Sequence, residues 1–187
     1  SINSTIELSD DAFGHIVRVL RLKDGDAITL FNGRLNDGHY GDYHATLCNV
    51  AKKSAQATID SFEAKQNESP LNLHLGQGIS RGDRMDYTLQ KSVELGVSEI
   101  TPLFTERCGV KLSGDRLQKK VDQWQKIVIS ACEQSGRAKI PVVHQPVSLE
   151  DWLVNCPQSL KLNLHPKAEH SIMSLPNESK DIALLVG

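Results

Sequence analysis

Residues 63–70 (Glu-Ala-Lys-Gln-Asn-Glu-Ser-Pro) separate two stretches of chain with different hydrophobic patterns. The octet is polar, lacks large apolar side chains and ends in Pro, so it reads as a linker. Beyond it, apolar residues at strand spacing alternate with apolar residues at helical spacing, a pattern that argues for a mainly parallel α/β sheet. Before it, short strands and tight turns surround a single helix, the grammar of a small barrel. The sequence therefore predicts two domains, at 1–66 and 71–187.

In the first domain, Phe13, Ile16, Val17 and Leu20 fall at helical spacing behind possible caps at Ser9 and Asp10. Residues 27–31 read as a strand leading into Asn32-Gly33, a hairpin-turn pair, and residues 43–50 and 56–62 as further strands. In the second domain, residues 71–75 and 97–104 are expected strands. Residues 83–95 are an expected helix with Met85, Leu89 and Val93 inward, a capping box from Ser80 and Asp83, and Gly96 at its end. A long helix over 116–135 turns Leu117, Val121, Trp124, Val128 and Ala131 inward and stops at Gly136. A strand at 142–143, a short helix at 149–154 and strands at 160–164 and 182–186 complete the alternation.

Composition sets broad limits. Of the 187 residues, 39% are hydrophobic and 24% charged, enough apolar material for a packed core and too much for a disordered chain. No apolar run approaches the roughly 18 residues of a membrane span, and the first residues carry no secretory signal pattern. Cys48, Cys108, Cys132 and Cys156 are scattered without a Cys-x-x-Cys pair, so reduced thiols in a cytoplasmic protein are expected rather than zinc or disulfides.

The formal charge of −2 argues weakly against nucleic acid, but binding needs only a local basic face. Residues 81–139 carry eleven Lys or Arg against eight Asp or Glu, a net of +3, so the basic excess is local. Arg81 and Arg84 open one helix, Arg107 and Lys111 follow the next strand, and Arg137 and Lys139 follow the long helix. In a parallel α/β sheet the helix starts lie beyond the carboxyl ends of the strands, where ligands bind. Arg81, Arg84, Arg107 and Lys111 could share a rim suited to phosphate contacts, although solvated side chains at element ends give the same pattern.

Other motifs are weaker. In Gly76-Gln-Gly78-Ile-Ser-Arg-Gly82 the third Gly comes one residue late for a dinucleotide fingerprint, and turn geometry accounts for it. His39 and His44 lie on opposite faces of a continuous strand, or become neighbours if Gly41-Asp42 turns a hairpin; no third ligand accompanies them. His15, His74 and His144 stand isolated in sequence, and no metal site is expected. No Ser-His-Asp, Cys-His or paired-carboxylate constellation assembles locally.

Several segments together resemble one family. Arg81-Gly-Asp-Arg-Met-Asp-Tyr-Thr-Leu-Gln-Lys91, Glu94-Leu-Gly-Val97, Ile100-Thr-Pro102, Glu106-Arg107-Cys108, Trp124, Glu133-Gln-Ser-Gly-Arg137 and Leu162-Asn-Leu-His165-Pro166 are similar, in order, to the RsmE ribosomal-RNA methyltransferases. So are His15-Ile-Val-Arg-Val-Leu-Arg21 and Gly25-Asp26 in the first domain. The resemblance implies a PUA-like RNA-binding barrel followed by a SPOUT domain with a trefoil knot, a cytoplasmic homodimer, S-adenosylmethionine as methyl donor, and N3 of one uridine in 16S ribosomal RNA as target.

It also implies that Leu164, His165, Pro166 and Gly187 border the cofactor cleft, and that Arg18, Arg21, Arg81, Arg84, Arg107, Lys111 and Arg137 face RNA. The family continues past the Leu-Leu-Val-Gly of residues 184–187 with a Pro-Glu-Gly-Gly loop and an Arg-x-Glu-Thr segment. The methyltransferase domain is accordingly expected to be incomplete, its knot region missing and its catalytic residue unassigned. A fragment of this kind is expected to be inactive as it stands. A non-catalytic RNA-binding protein on the same scaffold is the rival reading, and a nucleotide-dependent enzyme using the turn at 76–82 a third.

Overall fold

A computed structural model of the chain describes residues 1–106, 108, 113–165, 167–175 and 179–187. The chain divides into two compact units, Ser1–Asn67 and Glu68–Gly187.

The first unit is built on a four-stranded antiparallel sheet in the order β1-β4-β3-β2, with β1 at Thr5–Glu7, β2 at Ala27–Leu30, β3 at Gly41–Cys48 and β4 at Gln56–Ala64. Ala45, Leu47, Ala57 and Ile59 point inward from β3 and β4, and Phe13 and Ile16 join them in one core. Helix α1 (Asp10–Phe13) starts at Ser9, whose hydroxyl accepts from the Ala12 N–H at 3.3 Å, the expected cap. It continues as a π-helical turn over Gly14–Val19. The wider turn shifts the side-chain phase, so Leu20, at helical spacing from Phe13 and Ile16, is 53% exposed.

The tight turn of this unit is not at Asn32-Gly33. Asp37 and Gly38 have φ of 48° and 79°, and Asn36 and His39 exchange backbone hydrogen bonds across them. Two successive positive φ values make the two-residue turn that suits strand twist. Asn32 instead accepts from the Arg34 N–H at 2.9 Å, a local side-chain turn that forms no hairpin. Gly41 and Asp42 lie within β3, so His39 and His44 are not hairpin partners; His44 pairs with Glu63 at 3.0 Å.

The second unit is a six-stranded parallel sheet with the main order β7-β6-β5-β10-β9 and β8 beside β6. Its strands are β5 (Asn72–Gly78), β6 (Glu99–Phe104), β7 (Val142–Val143), β8 (Val147–Ser148), β9 (Leu160–Asn163) and β10 (Asp181–Val186). Helices α2 (Asp83–Glu94) and α3 (Gly114–Ser135) pack against each other through the expected stripes, with Met85, Leu89, Val93, Val121, Trp124, Val128 and Ala131 all buried. Gly136, in the left-handed region at φ 71°, ends α3 as its cap. The N-cap of α2 is Gly82 with no side-chain cap bond, so the capping box expected from Ser80 and Asp83 does not form.

Helix α4 (Leu149–Asn155) is capped by Ser148, which accepts from the Asp151 N–H at 3.0 Å. Its Trp152 packs with Leu103, Cys156 and Ala183 into a second core of this unit. No helix among the described residues is long and apolar enough to cross a membrane.

Candidate functional site

The parallel register lines up the carboxyl ends of four strands. Asn163 of β9 is level with Leu185, Val186 of β10 with Gln77, and Gly78 of β5 with Leu103 of β6. Backbone groups beyond the last rung have no sheet partner, which is why open parallel sheets bind ligands at this edge. A cavity of about 610 Å³ lies there, lined by Leu162, Leu164, His165, His170, Ile172 and Leu175 among others. Its size falls within the usual range for small-molecule sites.

The structure thus brings Leu164 and His165 into one cavity wall. Nδ1 of His165 accepts from the Lys167 N–H at 3.1 Å, so the neutral ring carries its proton on Nε2 and presents a donor beside apolar neighbours. Gly187 follows β10, the strand between β9 and β5, and stands alongside Gly78 of β5: a side-chain carbon on Gly187 would lie 3.7 Å from the Gly78 Cα. Pro166 lies outside the described residues.

The glycines at 76–82 have separate structural causes. A Cβ on Gly76 would sit 2.6 Å from the indole of Trp152, so that residue is small because α4 packs directly onto β5. Gly82 has φ 51° and ψ −129°, a conformation that L side chains rarely adopt. Sheet-to-helix packing and an α2 entry turn account for both without a nucleotide.

The basic residues divide between the units. Arg18 and Arg21 are exposed at the end of the π-helical turn, the Arg18 guanidinium 5.3 Å from the centre of the Phe13 ring. Arg81 and Arg84 are exposed where β5 passes into α2, at the carboxyl edge. Arg107 and Lys111 lie outside the described residues. Arg137 requires a correction. It is only 6% exposed, Nε and Nη2 bind the Glu68 carboxylate at 3.1 and 2.6 Å, and Nη1 donates to the carbonyls of Val93 and Val97 at 2.8 and 3.0 Å. The guanidinium closes the carboxyl end of α2 and does not face solvent or phosphate.

Near the amino ends of the strands the fold assembles a group that sequence spacing does not reveal. His74 on β5 is buried between Thr101, whose hydroxyl is 2.7 Å from Nε2, and Gln158, whose Oε1 is 3.3 Å from Nδ1. The Trp152 indole N–H, which can only donate, points at Nε2 from 3.4 Å. Nε2 is therefore an acceptor and Nδ1–H a donor, and burial lowers the pKa of the ring, which is neutral. His144 and Glu99 pair beside it at 2.8 Å.

Two domain families match the chain. Residues 67–187 match the RNA methyltransferase domain family, and residues 8–60 match the RNA methyltransferase PUA domain family. Ribosomal RNA small subunit methyltransferase E of Buchnera aphidicola (subsp. Acyrthosiphon pisum) is 35% identical over 187 residues, all of this chain and 72% of that protein. A putative methyltransferase of Legionella pneumophila, solved with bound cofactor SAM, superposes with a TM-score of 0.93 at 42% identity, covering all of this chain and 75% of its own. The Neisseria gonorrhoeae ribosomal RNA small subunit methyltransferase E, bound to S-adenosyl methionine, gives 0.91 at 41% identity with the same coverage. Identity of this order along the whole chain, on the same two-part fold, places the chain in the ribosomal RNA small subunit methyltransferase E family.

Proposed function

We propose that the protein serves S-adenosylmethionine-dependent methylation of N3 of a uridine in 16S ribosomal RNA. The observation that carries this reading is the coincidence of the cavity beside Leu164 and His165 with a fold whose solved relatives hold that cofactor. Residues 1–66 act as an RNA-binding unit and residues 71–187 as the methyltransferase unit. Two copies acting as a homodimer in the cytoplasm complete the proposal.

The cavity suits the cofactor's chemistry. Leu162, Leu164 and Ile172 offer apolar surface to a flat ring system, while His165 and the strand-end backbone offer polar contacts. When bound, the cofactor supplies a methyl group already activated on a sulfonium. The protein's own tasks are then to hold the base in line and to handle the N3 proton. That base edge normally pairs with adenine, so the target must be unpaired or splayed out before it reaches the carboxyl edge. Arg81 and Arg84, exposed at that edge, are placed to hold the flanking phosphates.

Calorimetric titration of the full-length protein with S-adenosylmethionine, followed by titration with a 16S ribosomal RNA fragment, tests the reading. Saturable heat from the cofactor and a methyl group at uridine N3 are expected. Tight, salt-sensitive RNA binding without any cofactor binding would replace the enzyme with a non-catalytic RNA-binding protein.

A further inference from the structure

We propose that His74, Glu99 and His144 form a binding site for a divalent transition-metal cation of the zinc type, at the amino-end side of the parallel sheet. The site is separate from the cavity at the carboxyl edge, and nothing in the methyl-transfer chemistry uses it.

The three residues come from three neighbouring strands. His74 on β5 is the direct register partner of Glu99 on β6, so their side chains leave the same face of the sheet. His144 follows β7, and its backbone N–H donates to the Ile100 carbonyl at 2.8 Å, which extends the ladder; its ring centre lies 5.5 Å from that of His74. One ligand atom from each side chain lies within 4.8 Å of the others. Zinc bonds to nitrogen and oxygen of about 2.0–2.2 Å bring ligand atoms to roughly 3.4 Å separation in a tetrahedral site. Glu99 and His144 pair already at 2.8 Å and remain 35% and 41% exposed, so they have the freedom to close the remaining gap onto the fixed ring of His74.

Two imidazoles and one carboxylate are a donor set that zinc and its first-row neighbours favour over calcium or magnesium. The surroundings also resemble those of a ligand histidine. Gln158 accepts from Nδ1–H of His74, fixing the tautomer that leaves a lone pair on Nε2, as partners in the outer shell of metal sites do. The hydroxyl of Thr101 and the indole N–H of Trp152 point at the same nitrogen; when a cation takes the lone pair, the hydroxyl rotates its proton away and the long 3.4 Å indole contact is given up. Partial exposure of Glu99 and His144 supplies an entry path and room for a water as fourth ligand. The cation would staple β5, β6 and the exit of β7.

The test uses the full chain, freed of metal by chelator and titrated with zinc chloride at neutral pH by calorimetry. One saturable site is expected, weakened by roughly tenfold or more in Glu99→Gln and in His144→Gln. His44→Gln, in the exposed pair with Glu63, should leave the affinity unchanged. Both cluster substitutions are at partly exposed positions, and circular dichroism checks that the fold survives. A zinc-dependent rise in melting temperature should appear in the parent chain and vanish in both cluster variants. Absence of saturable binding, or equal affinity in the parent and both cluster variants, overturns the proposal. Either result is independent of cofactor or RNA binding.

Discussion

The guanidinium of Arg137 closes a two-point ion pair on the carboxylate of Glu68, with Nη2–Oε2 at 2.6 Å and Nε–Oε1 at 3.1 Å. The remaining contacts go to the Val93 and Val97 carbonyls, so one cation fastens the start of the second unit to the end of α2. Removing one partner of such a pair leaves a charge in a poorly solvated place. Arg137→Ala should cost about 3–5 kcal/mol in urea denaturation, and Arg137→Lys should recover only part because it lacks the planar fork. RNA affinity of the folded variant, measured below its melting point, should keep the salt dependence of the parent. A fall of about one in the salt slope would return Arg137 to the RNA face.

Gly76 is a second position where packing dictates identity. Its missing Cβ leaves room for the Trp152 indole, which would otherwise stand 2.6 Å away. Gly76→Ala should destabilise the chain by about 1–3 kcal/mol, since neither the strand backbone nor the buried indole can move freely. Tryptophan fluorescence should shift as the indole is displaced. A fully stable Gly76→Ala chain that has lost affinity for NAD would revive a nucleotide role for this turn.

How much of this was legible depends on the range of the interaction. Helices α2 and α3 were readable because Met85, Leu89 and Val93, and Val121, Trp124 and Val128, repeat at the helical period, with Gly96 and Gly136 marking the ends. The Asp37-Gly38 turn was missed in favour of Asn32-Gly33, since both pairs tolerate positive φ and only strand register decides between them. Leu20 fits a 3.6-residue period that the π-helical turn abandons. Arg137 looked like a surface cation because Glu68 is distant in sequence. His74, Glu99 and His144 carried no local signal at all, since sheet register alone makes them neighbours. Leu164 and His165 were singled out by family resemblance, and no periodicity would have found them.

The exposed arginines give a graded expectation. Arg18→Ala, Arg21→Ala, Arg81→Ala and Arg84→Ala should each weaken RNA binding and lower the salt slope by about one, as loss of a single phosphate contact does. Stability should change by less than about 0.5 kcal/mol in each, since these side chains are exposed. Filter binding across a salt series separates the two outcomes. Unchanged slopes in all four would place the RNA on another surface.

Cys132 links burial to pH. Its side chain is fully buried in α3, its Sγ donates to the Lys139 carbonyl at 3.6 Å, and desolvation pushes the thiol from its ordinary value near 9 up to about 11. Because the folded value is the higher one, the thiol's contribution to stability is intact below pH 9. It is lost as pH rises from 9 towards 11, when the unfolded chain ionises first. The slope attributable to this group approaches about 1.4 kcal/mol per pH unit within that window. Urea midpoints from pH 8 to 11, compared between the parent and Cys132→Ala, isolate it, since other titrating groups are common to both chains. The parent should lose the larger part of its advantage in that window. Parallel curves, or rapid alkylation of Cys132 in the native chain at pH 8, would mean that the thiol is neither shielded nor shifted.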